Sequence, residues 1–248
     1  MARYARGLGD DALIAAQRMG EWIATSPQIE EDVALGNIGL DLIGQARSLL
    51  GYAGSLEGPP RSEDDLAYLR DERDFLNVQL VERSWGSEPD FGVAIARLLI
   101  FSCYQCELYA ALAGSTDEML AAIAAKAVKE VDYHRDHATM WTLRLGDGTD
   151  ESHRRLAAAL DAEWPYVAEL FEPYGVGPLV AEGIAVDPTT LRAGFDDRVA
   201  RVLDEATLAV PDVAPRVTGG RRGIHTEQMG RLLAEMQHLA RSHPGATW

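Results

Sequence analysis

Apolar residues recur at spacings of three and four along most of this chain, and alternation with period two is nearly absent. Ala, Leu, Glu and Arg dominate, residues that lose little freedom in a helix. An all-α fold follows, and sheet-based architectures are excluded. The punctuation divides the chain into long helices. Asp10 precedes the series Leu13, Ile14, Gln17 and Trp22; Ser26 with Pro27 reads as an N-cap and first helical residue. Pro59–Pro60 breaks the chain, Ser62 with Asp65 opens a helix, and residues 86–91 restart after Trp85. Ser115 with Glu118 fits a capping box for a helix that stops at Gly146-Asp147-Gly148; another helix spans residues 149–171. Helices are also predicted over 195–208 and 225–241. Long helices on short loops favour an antiparallel bundle over residues 1–172. The Gly- and Pro-rich residues 173–191 lead into C-terminal helices that wrap it, making one domain of 1–248.

Composition narrows the function classes. Of 248 residues, 47% are hydrophobic and 25% charged, enough for a packed core. Lys and Arg number 23 against 39 Asp and Glu, a net charge of −16 that repels a phosphate backbone, so no nucleic-acid partner is expected. The charge-free run 98–106 is nine residues long, against the ~18 that read as a membrane span. With no apolar leader at the start, a soluble cytoplasmic protein is expected. Cys103 and Cys106 lie mid-helix in ARLLIFSCYQCELYAALA and read as core filler rather than as a redox pair.

Polar residues where a bundle helix should be apolar are the informative feature. Asn37, Asp41 and Gln45 recur every four residues between Ile38, Leu42, Ile43 and Leu49. Glu107 and Glu130 add acids on later helices, and His134 falls on the apolar series Ala127, Val131, Ala138. Such an interior stripe suggests the ferritin-like di-iron plan, in which two helices give one Glu each and two give Glu-x-x-His. The spacing fails that plan. Residues 1–133 hold no histidine, and Glu130 precedes His134 by four. Glu235-x-x-His238 and Asp150-x-x-His153 stand without partners. A hydrogen-bonded buried network of Asn37, Asp41, Gln45, Glu107, Glu130 and His134 is therefore expected, with Arg73 (beside Asp71 and Asp74 on a further long helix) as a partner. Gly36, Gly39 and Gly44 make sense if another helix passes close.

No nucleophile elbow, phosphate loop or dinucleotide fingerprint is present. Arg216, Arg221 and Arg222 around Thr218-Gly219-Gly220 form the one basic cluster. It could hold phosphates or an acidic partner from a loop outside the core, or be simply solvated.

The ordered blocks EEDVALGNIGLDLIGQAR, DDLAYLRDERDFLN, AAIAAKAVKEVDYH, TLRLGDGTDESHRRL and HTEQMGRLLAEMQHLARSHPGATW extend nearly end to end. By them the chain resembles the PaaC family, the C subunits of bacterial phenylacetyl-CoA ring epoxidases. Gly36 and Gly39 depart from the alanines expected there. The resemblance implies a ferritin-like fold whose metal site has been lost, with no cofactor in this chain and no catalysis by it alone. It implies a homologous di-iron A subunit that epoxidises the aromatic ring, a small B subunit, and a reductase carrying flavin and an iron–sulfur centre. A role as structural subunit in aerobic phenylacetate catabolism is favoured, with self-association of the chain when isolated. A CoA-thioester-binding module touching phenylacetyl-CoA at the interface, or a self-sufficient di-iron oxygenase, are the alternatives.

Overall fold

The computed structural model describes residues 1–86 and 89–246. Among them there are helices and no strands, so the fold class is the all-α expected, and a ferritin-like helical bundle fits it. Of the predicted restart at 86–91, Ser87 and Glu88 lie outside the described residues. The chain groups into two compact units, Met1–Ser84 with Thr218–Trp248, and Trp85–Val217. Neither seam falls at residue 172.

In the first unit, α1 (Ala2–Gly20) and α2 (Ile29–Ser55) form an antiparallel hairpin. Helix α1 begins at residue 2, so Asp10 is not its cap but a buried mid-helix residue. Helix α2 begins after Gln28, not at Ser26. The loop before it is folded back, with the Ala24 and Ser26 N–H groups donating to Asp32. The short α3 (Glu63–Tyr68) carries the expected Ser62–Asp65 capping box. It does not continue into a long helix. Residues 72–74 form a single 3₁₀ turn, and the chain runs extended before α4 (Gln79–Glu82).

The second unit is built on α5 (Phe91–Leu112) and α6 (Glu118–Gly146), again antiparallel. Asp117 caps α6 by accepting from the Leu120 N–H, so the Ser115–Glu118 box is not used. Ser115 instead accepts from the Asp117 N–H and donates to the Ile184 carbonyl. Helix α7 (Asp150–Glu163) packs along α5 and ends in a 3₁₀ stretch, Trp164–Phe171. The Gly- and Pro-rich segment forms α8 (Gly177–Ala181) and a 3₁₀ turn, Pro188–Leu191. Helix α9 (Arg192–Glu205) then packs on α5 and α6. By length and composition α5 could cross a membrane, since Arg97 and Glu107 are its only charges. Its apolar window is 83% buried inside the fold, which marks it as a core helix.

The last helix, α10 (Glu227–Ser242), belongs to the first unit. Gln237 donates to the carbonyls of Ala67 and Arg70, and Arg241 to those of Tyr68 and Arg70, satisfying acceptors left open where α3 ends.

Candidate functional site

Asn37, Asp41 and Gln45 illustrate how a stripe of period four behaves on a helix of 3.6 residues per turn. Each step overshoots a full turn by about 40°, so the three side chains rotate from solvent towards the core. Asn37 is exposed, Asp41 half-buried and Gln45 buried. Asn37 is thus no member of a buried network. Arg73 is not either, because the 3₁₀ turn that carries it leaves it exposed.

In the second unit, His134 shares the buried face of α6 with Ala127, Val131 and Ala138, as its spacing predicts. The Tyr133 ring lies 6.4 Å from His134 and 6.3 Å from His137 between centroids. Glu107 accepts two hydrogen bonds from Arg198 on α9, at 2.6 and 3.2 Å. Glu130 lies 3.4 Å from Lys126, one turn earlier on α6. Each acid thus has a cation beside it. Cys103 and Cys106 are buried free thiols, and burial above all pushes each up to about 12, far from nucleophilic thiolates at neutral pH.

A ferritin-like site needs carboxylates and imidazoles converging from four helices. Among the described residues no three His, Cys, Asp or Glu side chains group closely enough to hold a metal ion. The donor set does not fit a di-iron centre. Glu235 and His238 are exposed along α10. His153 Nδ1 lies 2.8 Å from the Gly146 carbonyl at the end of α6, a helix-terminal contact.

The strongest polar constellation is one that the sequence reading missed. It surrounds residues 70–82, where only a 3₁₀ turn and the short α4 interrupt irregular chain, so that many N–H and C=O groups lack helical partners and must be satisfied otherwise. Asp10 accepts from the Leu76 N–H and pairs with Arg70; Asp11 accepts from the Val78 N–H and pairs with Arg221 at 2.6 Å. Arg221 also donates to the carbonyls of Gly7 and Leu76, and Arg70 to that of Asp74. Glu82 accepts from Asn77, from the Thr226 N–H and from His225, while Arg18 donates twice to its carbonyl. His225 Nδ1 lies 2.7 Å from Glu82 Oε2 and Nε2 3.0 Å from the Phe75 carbonyl, so an imidazolium here donates from both ring nitrogens. Burial pulls this imidazole down, but the hydrogen bond and charge of Glu82 outweigh it and hold it above its ordinary value. Burial pushes the Asp11 carboxyl up to about 6 against the opposing pull of Arg221.

This arrangement also corrects the expectation for the basic cluster. Arg221 is buried in the core of its unit, not held in a loop outside it. Arg222 is exposed and donates to the Thr218 carbonyl; Arg216, in the other unit, lies with its guanidinium 5.7 Å from the Tyr166 ring centroid. Arg221 is committed to Asp11 and to the carbonyls of Gly7 and Leu76, which takes it out of any exposed basic cluster. The local signal was available: Gly7, Asp11, Ile14 and Arg18 recur at four, three and four on the buried face of α1.

The class defined so far is an all-α helical protein with a buried network of charges that holds the backbone around residues 70–82. The model of the phenylacetic acid catabolic protein family matches residues 1–248, and the chain belongs to that family. The C subunit of the 1,2-phenylacetyl-CoA epoxidase of Escherichia coli (strain K12) is 46% identical over 249 residues, covering 100% of this chain and 99% of that protein. Membership ties the chain to phenylacetate catabolism.

Proposed function

We propose that this chain is a non-catalytic supporting subunit of a multicomponent monooxygenase that epoxidises the ring of phenylacetyl-CoA. Its partner is a homologous subunit that carries the di-iron chemistry, assisted by a small bridging subunit and a reductase with flavin and an iron–sulfur centre. The chain itself holds no iron. The observation that carries this reading is end-to-end similarity to a protein named as the C subunit of such an epoxidase, at 46% identity. The engagement of Glu107 with Arg198 and of Glu130 with Lys126 supports the absence of iron. In this reading Glu107, Glu130 and His134, all in the second unit, are remnants of positions where a metal-binding relative places ligands.

The test is reconstitution. Each subunit is purified separately, its iron measured by elemental analysis, and epoxide formation followed with and without this chain. Turnover that depends on both subunits, with iron only in the partner, is expected. Iron near two atoms per molecule of this chain, or epoxide formed by this chain with the reductase alone, would overturn the reading.

A further inference from the structure

Helix α2 is apolar on two opposite faces, and its own chain covers one of them. Leu35, Ile38, Leu42 and Leu49 are buried. Ile29, Val33, Leu40 and Ile43 are 75%, 60%, 65% and 42% exposed, and their spacings of four, seven and three set them on a single stripe. Gly36 lies on that stripe, and a Cβ there would meet nothing within 4 Å. Among the described residues nothing requires glycine at this position, where Ala would gain roughly 1 kcal/mol of helix stability. A second backbone arriving from outside gives it a use. From Ile29 to Arg47 the stripe is about 27 Å long at 1.5 Å per residue.

At its C-terminal end the stripe continues into a groove of ≈ 250 Å³, where Ile43 and Arg47 face Leu13, Ala16 and Met236. The charges around this face are mainly acidic. Glu30 and Asp64 are exposed and Glu63 half-buried, while the cation Arg47 already lies 3.5 Å from Glu63. A second copy, from a chain of net charge −16, would bring acids against acids.

We propose that the outward face of α2, with the adjoining groove, is where the partner subunit docks. The occupant is a helix of that subunit with an apolar ridge flanked by Lys or Arg, closing over Gly36. The assignment rests on the supporting-subunit reading above and adds the face and the chemistry of what meets it.

The test uses the full chain and the purified di-iron subunit, with affinity measured by biolayer interferometry and mass by light scattering. The double variant Val33→Glu/Leu40→Glu changes two exposed side chains and should keep the wild-type circular dichroism and melting temperature. It should bind at least about thirty-fold more weakly, the loss expected from a hot-spot cluster. Val217→Glu, at a residue 95% exposed in the other unit, should bind as wild type does. Glu30→Lys/Asp64→Lys should lose about tenfold at low salt and show a flatter salt dependence. This second pair keeps the test decisive should the first fail to fold. Wild-type binding that neither double variant weakens would overturn the docking face and leave the subunit reading standing. Failure of the wild-type chain to bind would overturn both. Variants that dissolve a self-association while partner binding persists would make the occupant a second copy and overturn the proposal.

Discussion

The two units use buried charge for different purposes. In the unit of α1, α2 and α10, Asp10, Asp11, Arg221, Arg70 and His225 each hold a backbone group of residues 70–82 as well as an opposite charge. In the unit of α5, α6 and α7 the helices are long, and the buried pair Arg97–Glu163 links α5 to the end of α7 through two bonds of 3.0 and 3.1 Å. There Arg97 also lies 4.1 Å from the Trp85 ring centroid. A regular helix satisfies its own backbone and leaves charges free to set register, whereas an extended buried segment draws them into replacing the missing ladder.

The largest expected effects would break this contrast. Arg221→Ala strands the Asp11 carboxylate and removes the donor to Gly7 and Leu76, and should cost about 3–5 kcal/mol in urea unfolding. Arg97→Ala should cost a similar amount, about 3–5 kcal/mol, by stranding Glu163. The double replacements should then diverge. Arg97→Met/Glu163→Leu should recover much of the loss, since apolar substitutes of similar volume can replace a buried pair. Arg221→Met/Asp11→Leu should recover little, because the Val78 N–H and Leu76 carbonyl lose their partners whatever fills the space. Hydrogen exchange should show residues 70–82 opening in the Arg221 variants alone. Equal recovery in both units would refute the distinction.

A smaller effect sharpens it through pH. His225 is held above its ordinary value, so its contribution to stability is complete below about 6.5 and is lost as pH rises through its folded value. Asp11, raised from 3.8 to about 6, acts in the same direction: the folded state takes up its proton first, and stability falls between those pH values as pH rises. His225→Gln should therefore flatten the stability profile above pH 6.5, and Asp11→Asn should flatten it between 3.8 and 6. Denaturant midpoints measured from pH 4 to 8 for the three proteins check this. Parallel profiles would remove both groups from the account.

Much of the fold was legible from local pattern. The all-α class, the Ser62–Asp65 cap, the stop at Gly146–Gly148 and the buried series through His134 depend on residues a few positions apart. The network around residues 70–82 joins Asp10 to Arg70 and Asp11 to Arg221, partners 60 and 210 positions apart, which periodicity cannot connect. Asp10 also stands just ahead of the apolar series that begins at Leu13, where an aspartate reads as a cap in need of no buried partner. Asn37 misled for a geometric reason, the drift of a four-residue repeat around the helix. Arg221 misled because its glycine-rich surroundings read as loop, although Gly223, at φ +72°, and the 3₁₀ turn before it fold that loop into the core.

The smallest expected effect separates two helical glycines, one in each unit. At Gly36 of α2 the space is open, so Gly36→Ala should stabilise the isolated chain by about 0.5–1 kcal/mol, the ordinary helix-propensity gain. At Gly194 of α9 an added Cβ would run into the Glu107 carboxylate that holds Arg198. That carboxylate ends a flexible side chain and can move, so the same gain is offset by a disturbed ion pair, and Gly194→Ala should leave stability nearly unchanged. Melting temperatures of the two variants decide between them. The pair also separates stability from assembly: Gly36→Ala should raise the melting temperature of the free chain while weakening its partner complex, because the added methyl occupies space a docking helix would use. A Gly36→Ala chain that is more stable and binds its partner equally well would leave this glycine without a structural reason and move the docking helix away from the middle of α2.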